Sequence, residues 1–266
     1  MTTIAVRSRP NALRAFDRAS RSLGLGLGFP VAVLVLWEFL VNARVLDIVL
    51  FSQPSAILES LGPSVESGAV LRDIRTTLVE VAVGYVAAVI PGLIIGAAMG
   101  LWQRVDYVLE PIVIGMYSAP TIALYPLLII WFGISFTSII ILVVLFTIFP
   151  IIVNTALGVR LVDPVLIRSA VSFGASRREV LQKVVLPAAL PSIAAGLQLA
   201  IGRCFAGAVV AELFIGSSGL GYSIGYYANF LQMNFVFLNI FVVGILGVVL
   251  TMAMRAVQQR VQYRST

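Results

Sequence analysis

Long apolar runs separated by short polar segments dominate the chain, and this pattern predicts an all-α protein with six transmembrane helices. A helix needs about 20 mostly apolar residues to cross the hydrocarbon core of a bilayer. Runs of this kind predict one transmembrane domain over residues 24–254, between a basic N-terminal tail (1–23) and a basic C-terminal tail (255–266). The six predicted spans are about Gly24–Val45, Thr76–Leu101, Pro111–Phe132, Ser138–Leu157, Leu190–Ile215 and Phe235–Met254.

The third predicted span follows a polar segment, Trp102–Glu110, that we expect to be a turn, and it contains Pro120 and Pro126. Prolines inside a helix kink or break it. A broken helix at membrane depth is tolerated where neighbouring helices or a water-filled cavity satisfy the freed carbonyls. Polar side chains near this break and in the following spans are therefore candidates to line a permeation pathway. These candidates are Ser118, Thr121, Asn154 and Glu212.

The second predicted span carries a small residue at every fourth position, which places all of them on one face of the helix. Such a stripe lets the backbone of a neighbouring helix approach closely, and this approach drives helix association in lipid. We expect the stripe to pack against another helix; lining of the pathway is the alternative. Its members are Gly84, Ala88, Gly92, Gly96 and Gly100.

Charged residues inside the predicted spans need partners or a cavity, since a charge in hydrocarbon is costly. Glu38 is expected to face a neighbouring helix, with a role in substrate contact as the alternative. Arg203 and Glu212 lie in the fifth span and are nine positions apart, so they point in roughly opposite directions and are separated by about 13 Å of rise. We expect that these two do not pair with each other.

The polar segment between the fourth and fifth spans predicts two short helices joined at a bend. Asp163 can cap the first helix, and Gly174 is placed to end it in the left-handed conformation. Ser176 and Glu179 have the spacing of a capping box at the start of the second helix, which Pro187 is expected to end. Both helices are too short and too charged to cross a bilayer, so the segment lies at a membrane surface.

The spacing of this segment resembles the EAA loop of bacterial ABC importer permeases. Residues 168–170, Gly174 and the pair Leu186-Pro187 carry the resemblance, although Arg168 stands where the family usually has Glu and Ser169 where it has Ala. In that family the loop docks onto a cytoplasmic ATPase, so the resemblance implies that residues 163–187 couple to such a subunit. An ordinary cytoplasmic helical hairpin is the alternative. The implied coupling residues are Arg168, Ser169, Ala170, Gly174, Ala175, Ser176, Leu186 and Pro187.

Further fragments extend the resemblance over about residues 46–251. Residues 120–133, which include the second half of the third span, are similar to the third span of sulfonate/nitrate/taurine-type permeases. The segment from Ser218 to Tyr222 is similar to the segment that follows their coupling loop. Permeases for thiamine-precursor pyrimidines or riboflavin share most of these features. The resemblance implies a type I importer fold and a small polar solute. It also implies a second permease copy, two ATPase subunits that bind ATP, and a binding protein outside the membrane.

Composition and charge agree with a membrane protein. With 60% hydrophobic and 11% charged residues, a water-soluble domain is excluded. The net charge of +6 does not indicate nucleic acid, because the arginines flank apolar spans. Of the 18 Lys and Arg residues, fourteen fall in the two tails, the segment around Arg104 and the polar segment between the fourth and fifth spans, which contains the loop 163–187. The positive-inside rule therefore predicts that both termini and that loop lie in the cytoplasm, and the resemblance implies a multi-pass protein of the bacterial inner membrane.

The residue inventory excludes several chemistries. The chain has no histidine and one cysteine, so neither a Ser/His/Asp nor a Cys/His constellation can form, and an enzyme is not expected. A GxxxxGK[ST] phosphate loop is absent, so we expect no cofactor in this chain and ATP binding by a partner. A secondary transporter or channel that works without an ATPase is the alternative function, which Glu38, Glu80 and Glu212 leave open.

Overall fold

Residues 28–263 are described by a computed structural model, with side chains up to residue 260, and the elements of this part of the chain are helical. The predicted N-terminal tail (1–23), the first four residues of the first predicted span and residues 264–266 of the predicted C-terminal tail lie outside this range. The helices are α1 (Gly28–Asn42), α2 (Ile48–Phe51), α3 (Pro54–Glu59), α4 (Leu61–Glu66), α5 (Ala69–Leu101), α6 (Gln103–Ser118), α7 (Tyr125–Phe132), α8 (Phe136–Arg160), α9 (Pro164–Ser172), α10 (Arg177–Val180), α11 (Leu186–Ile215), α12 (Leu220–Asn229) and α13 (Met233–Tyr263).

Within the described residues, 4 helices are long and apolar enough to cross a membrane, and the number is 5 when a bent pair is counted as one span. The 4 are α5, α8, α13 and the continuous helix Arg177–Ile215. The bent pair joins α6 to residues 121–132 at an angle of 90°. The apolar helix α1 is shorter, and the residues before Gly28 are not described, so the count of six spans stays a prediction.

The helix bounds correct two predictions around the third span. The segment Trp102–Glu110 is not a turn: only Trp102 leaves the helical conformation, and α6 begins at Gln103. The predicted break is confirmed at Pro120, where extended backbone at Ala119 is followed by a 3₁₀ turn, Thr121–Leu124. Pro126 does not break the helix, because it occupies the first turn of α7, where its missing N–H removes no helical hydrogen bond.

The expectation that Pro187 ends a helix is also wrong. The chain is helical without interruption from Arg177 to Ile215, passing through Pro187 and Pro191. A π turn, Leu181–Val185, ends two residues before Pro187, and its wider backbone accommodates the proline ring, so the helix continues. The second helix of the polar loop and the fifth span therefore form one continuous helix.

The middle of the structure is α8, which lies between α5 and α11. Toward α5, a Cβ atom added to Gly96 would lie 2.6 Å from the carbonyl oxygen of Ile152. Toward α11, a Cβ atom on Gly196 would lie 2.6 Å from the Asn154 Cβ. Both contacts are closer than real Cβ atoms tolerate, so these interfaces need glycine. The packing role of the small-residue stripe on α5 is confirmed.

The faces of the helices that point away from this centre are apolar and exposed. Ile94 on α5, Ile130 on α7 and Val248 on α13 are 65%, 75% and 58% exposed. The interior holds Leu142 and Val143 of α8 together with Cys204 and Ala208 of α11, all fully buried. Apolar side chains on both the inside and the outside are what a membrane-spanning bundle requires, since its outer surface contacts lipid rather than water.

Candidate functional site

The first helix of the loop, α9, is closed at both ends by the local chemistry that the sequence predicts. The Asp163 carboxylate accepts a hydrogen bond from the Val165 N–H at 2.7 Å. Gly174 has a φ of 82°, and its N–H donates to the Val171 carbonyl at 2.9 Å. The Ala175 N–H donates to the Ala170 carbonyl at 3.0 Å, which completes a Schellman motif. The predicted bend at Gly174 is confirmed.

The second helix of the loop begins with the predicted capping box. The Ser176 N–H donates to the Glu179 carboxylate at 3.0 Å, and the Glu179 N–H donates to the Ser176 hydroxyl at 3.4 Å. The Lys183 ammonium binds the same carboxylate from one turn further along, at 3.0 Å. Two closed helix ends therefore meet within a few residues, and the corner between them has little freedom to bend.

An apolar cluster fixes this corner to the transmembrane helices. Val159 and Val162 at the end of α8 are buried together with Val180, Val185 and Ala189. From the loop helices, half-buried side chains pack against these five: Ile167, Ala170, Ala175, Leu181 and Val184. The loop, the end of α8 and the start of α11 consequently form one packed unit.

The structure separates the eight predicted coupling residues by their exposure. Those on the outer surface of the corner are Arg168, Ser169, Gly174 and Ser176, whereas Ala170 and Ala175 face the apolar cluster. Leu186 and Pro187 lie on the first turn of α11 and are also exposed. The sequence reasoning missed Phe173, whose side chain is 92% exposed beside Gly174. An apolar residue directly before the helix-ending glycine was the available signal.

The break in the third span borders a cavity of about 220 Å³. Thr121, one of the four pathway candidates, lies on its wall with Tyr117 and Arg203. The guanidinium carbon of Arg203 is 4.6 Å from the centre of the Tyr117 ring, which is a cation–π contact. The sequence reasoning placed Arg203 inside a span without a role, because only the fold brings the middle of α11 to the break.

The other pathway candidates lie elsewhere. Ser118 is exposed at the end of α6, next to the break. The Asn154 amide donates to the Pro150 carbonyl of its own helix at 2.8 Å and faces α11 near Gly196. Glu212 is fully buried near the opposite end of α11 from the loop. Their roles in a pathway stay predictions.

Glu212 belongs to a polar network that holds the segment after α11 against α5. Its carboxylate accepts hydrogen bonds from the Thr77 hydroxyl at 2.6 Å and the Gly221 N–H at 2.7 Å. Asp73 accepts from the Gly219 N–H at 3.3 Å and from the Ser223 hydroxyl. Glu212 is thus engaged by α5 and α12, and the expectation that it does not pair with Arg203 is confirmed.

Glu38 contacts a neighbouring helix, as its position inside a predicted span led us to expect. It accepts hydrogen bonds from the Ser55 N–H at 3.1 Å and the Ser55 hydroxyl at 2.8 Å, while Asn42 donates to it at 3.4 Å. These bonds join α1 to α3, and they satisfy the carboxylate without any solute. The expectation that Glu38 faces a neighbouring helix is confirmed.

Comparison with known proteins places this architecture in a family. The family model of the binding-protein-dependent transport system inner membrane component matches residues 88–263. The taurine transport permease TauC of Escherichia coli is 35% identical, with 91% of this chain and 90% of that protein covered. The putative aliphatic sulfonates transport permease of Bacillus subtilis is 32% identical, with coverage of 84% and 80%.

A solved structure shows the same fold. The MetNI methionine ABC transporter, in an inward-facing conformation, aligns with a TM-score of 0.65 at 18% identity, covering 74% of this chain and 97% of that one. The resemblance to ABC importer permeases noted in the sequence is therefore confirmed, as is the helical permease fold. The chain belongs to the family of binding-protein-dependent transport system inner membrane components, the multi-pass permease subunits of ABC importers.

Proposed function

We propose that this chain forms the translocation pathway of an ATP-driven importer for a small polar solute and is coupled to a cytoplasmic ATPase through residues 163–187. Two copies of the permease pair, each binds one ATPase subunit, and a binding protein delivers the solute from outside. ATP is bound by the partner and not by this chain. The observation that carries the proposal is the closed corner at Gly174, which is packed onto two transmembrane helices.

The corner has the mechanical properties that coupling requires. A coupling element must transmit displacement without deforming, and the two caps around Gly174 restrict deformation at the bend. The continuous helix Arg177–Ile215 then runs from the corner through the transmembrane region. Displacement of the loop by an ATPase is therefore displacement of the fifth span itself.

The outer surface of the corner supports a docking role. Phe173, Val165 and Val171 are 92%, 53% and 56% exposed, so the loop presents an apolar surface beside polar residues. Apolar patches with a polar rim are typical of protein interfaces. Arg168 lies on the same helix and is exposed. It is suited to a carboxylate or a helix C-terminus on the ATPase, because a guanidinium only donates hydrogen bonds.

The proposed orientation has both termini and the loop in the cytoplasm. The distribution of Lys and Arg supports it. An ion pair between Asp106 at the start of α6 and Arg160 at the end of α8 lies at the same end of the bundle as the loop. The carboxyl network around Glu212 lies at the opposite end, which in this orientation faces the binding protein.

Co-purification and transport with substituted loops test the proposal. We expect Phe173→Ala and Arg168→Glu to weaken attachment of the ATPase subunits, and Gly174→Val to do so more strongly, because a β-branched residue is strained at a φ of 82°. Leu58→Ala is the matched control, since Leu58 is 72% exposed on α3 at the other end of the bundle. Transport that continues without any ATPase subunit would refute the proposal and favour a secondary transporter.

A further inference from the structure

Arg203 is a charged residue near the middle of a membrane-spanning helix, 17 residues after Leu186 and 12 before Ile215. A charge at this depth is costly and is found facing protein or a water-filled cavity rather than lipid. The side chain is exposed in the single chain and lies on the wall of the cavity at the break in the third span. The positive charge of Arg203 therefore needs a balancing partner.

The part of the chain with described side chains, residues 28–260, supplies no carboxylate for Arg203. Its two ion pairs are Asp106–Arg160 and Glu179–Lys183, both near the loop end of the bundle. Glu212, on the same helix, is held by Thr77 and Gly221 instead. The contact that Arg203 does make is with the face of the Tyr117 ring. A cation–π contact holds the plane of a guanidinium and leaves its N–H edges free to donate.

We propose that Arg203 is the anion-recognising residue of the permeation pathway, and that the cavity beside it admits a small organic oxyanion, such as a sulfonate or a carboxylate. The inference rests on the proposed function as an importer permease and narrows its substrate class. The guanidinium fork donates two parallel hydrogen bonds to such a group, a geometry that an ammonium cannot reproduce.

The size and lining of the cavity fit this ligand. Its volume of about 220 Å³ is far above the space that a single water molecule needs, so a solute of a few non-hydrogen atoms fits. Thr121 contributes a hydroxyl, while Phe146 and Phe149 contribute apolar walls for the carbon part of the solute. The backbone break at Pro120 lies at the same place, and irregular backbone at membrane depth is tolerated beside such a cavity.

Protection of Arg203 from chemical modification tests the inference, and the experiment uses the wild-type importer complex. Phenylglyoxal labels accessible arginines, and the labelled fraction at each position is measured by mass spectrometry. The probes are ethanesulfonate and the neutral ethanesulfonamide, each in a background of equal chloride concentration. We expect ethanesulfonate to slow labelling of Arg203 at least threefold and ethanesulfonamide to leave it unchanged. Arg255, on α13 outside this cavity, is the internal control, and its labelling is expected to stay constant.

Equal protection by both probes, or none by ethanesulfonate, would overturn the inference. Tyr117→Leu provides a second measurement, because loss of the ring frees the guanidinium and should reduce protection by ethanesulfonate, whereas Tyr117→Phe should preserve it. Labelling needs neither ATP nor transport, so its outcome does not depend on coupling to an ATPase. If ATP-driven uptake fails while protection persists, the coupling proposal is wrong and the anion site stands. If uptake proceeds while protection is absent, the coupling proposal stands and the anion site is overturned.

Discussion

Alanine in place of Gly96 should destabilise the permease, although alanine normally stabilises a helix. A Cβ atom at this position would lie 2.6 Å from the Ile152 carbonyl oxygen, 2.7 Å from the Thr155 Cβ and 3.1 Å from the Ile152 Cα. Two of these atoms belong to the backbone of α8, which cannot rotate away as a side chain does. The two helices must therefore separate to accept one methyl group.

The matched control is Gly244 on α13, where an added Cβ atom meets nothing within 4 Å. Gly244→Ala carries only the helix-propensity gain, which is about 1 kcal/mol. Gly96→Ala carries the same gain together with the cost of overpacking, typically about 1–3 kcal/mol. The two variants should thus differ by about 1–3 kcal/mol, or about 2–12 °C in Tm for a chain of this size.

Thermal unfolding of the purified protein in one detergent, followed by the loss of the monodisperse chromatographic peak, measures this difference. We expect Gly244→Ala at or above the wild type and Gly96→Ala below both. Gly96→Leu should be worse still, because a larger side chain forces a wider separation. If Gly96→Ala unfolds at the same temperature as Gly244→Ala, then α5 and α8 are not in contact as described, and the argument for the small-residue stripe fails.

Two further substitutions test other contacts in the same unfolding assay. Gly219→Ala should lower stability more than Gly68→Ala: both positions have positive φ, which strains alanine by about 1–3 kcal/mol, but only at Gly219 would the methyl group also overlap the Glu212 carboxyl group. Tyr85→Phe should lower stability by about 1 kcal/mol, since it removes the hydrogen bond of 2.9 Å to the Leu197 carbonyl. Tyr107→Phe, at an 83% exposed position, should change nothing, and equal effects of the two would contradict this reasoning.

Local chemistry explains why the loop could be predicted from the sequence. Asp163, Gly174 and Ser176 act on backbone groups within five residues of themselves, so their spacing alone determines what they bond. Pro187 was misjudged because its effect depends on the π turn before it, which no local pattern announces. The Trp102–Glu110 segment was misjudged because polarity suggests a loop, whereas one extended residue suffices to turn the chain from α5 to α6.

Charged residues inside the spans show the limit of reasoning from the sequence. Arg203 and Glu212 lie nine positions apart on one helix and look alike as charges in an apolar run. Glu212 finds its hydrogen-bond donor Thr77 at a separation of 135 residues, and Arg203 meets Tyr117 across the break of another span. Such partners are set by how α5, α6 and α11 pack, so the sequence could name the residues but could not assign their environments.

The uninterrupted helix from the loop to the cavity links the two proposed sites. From Arg177 to Arg203 the chain advances 26 residues without leaving the helical conformation, a rise of about 39 Å. Close contacts at Gly158 and Gly196 hold α11 against α8 along this length, so the helix cannot bend freely between its ends. We therefore expect movement of the Gly174 corner to shift Arg203 relative to the opposite wall of the pathway. Because α8 and α11 are packed this closely, we expect the part that yields to lie outside their shared interface.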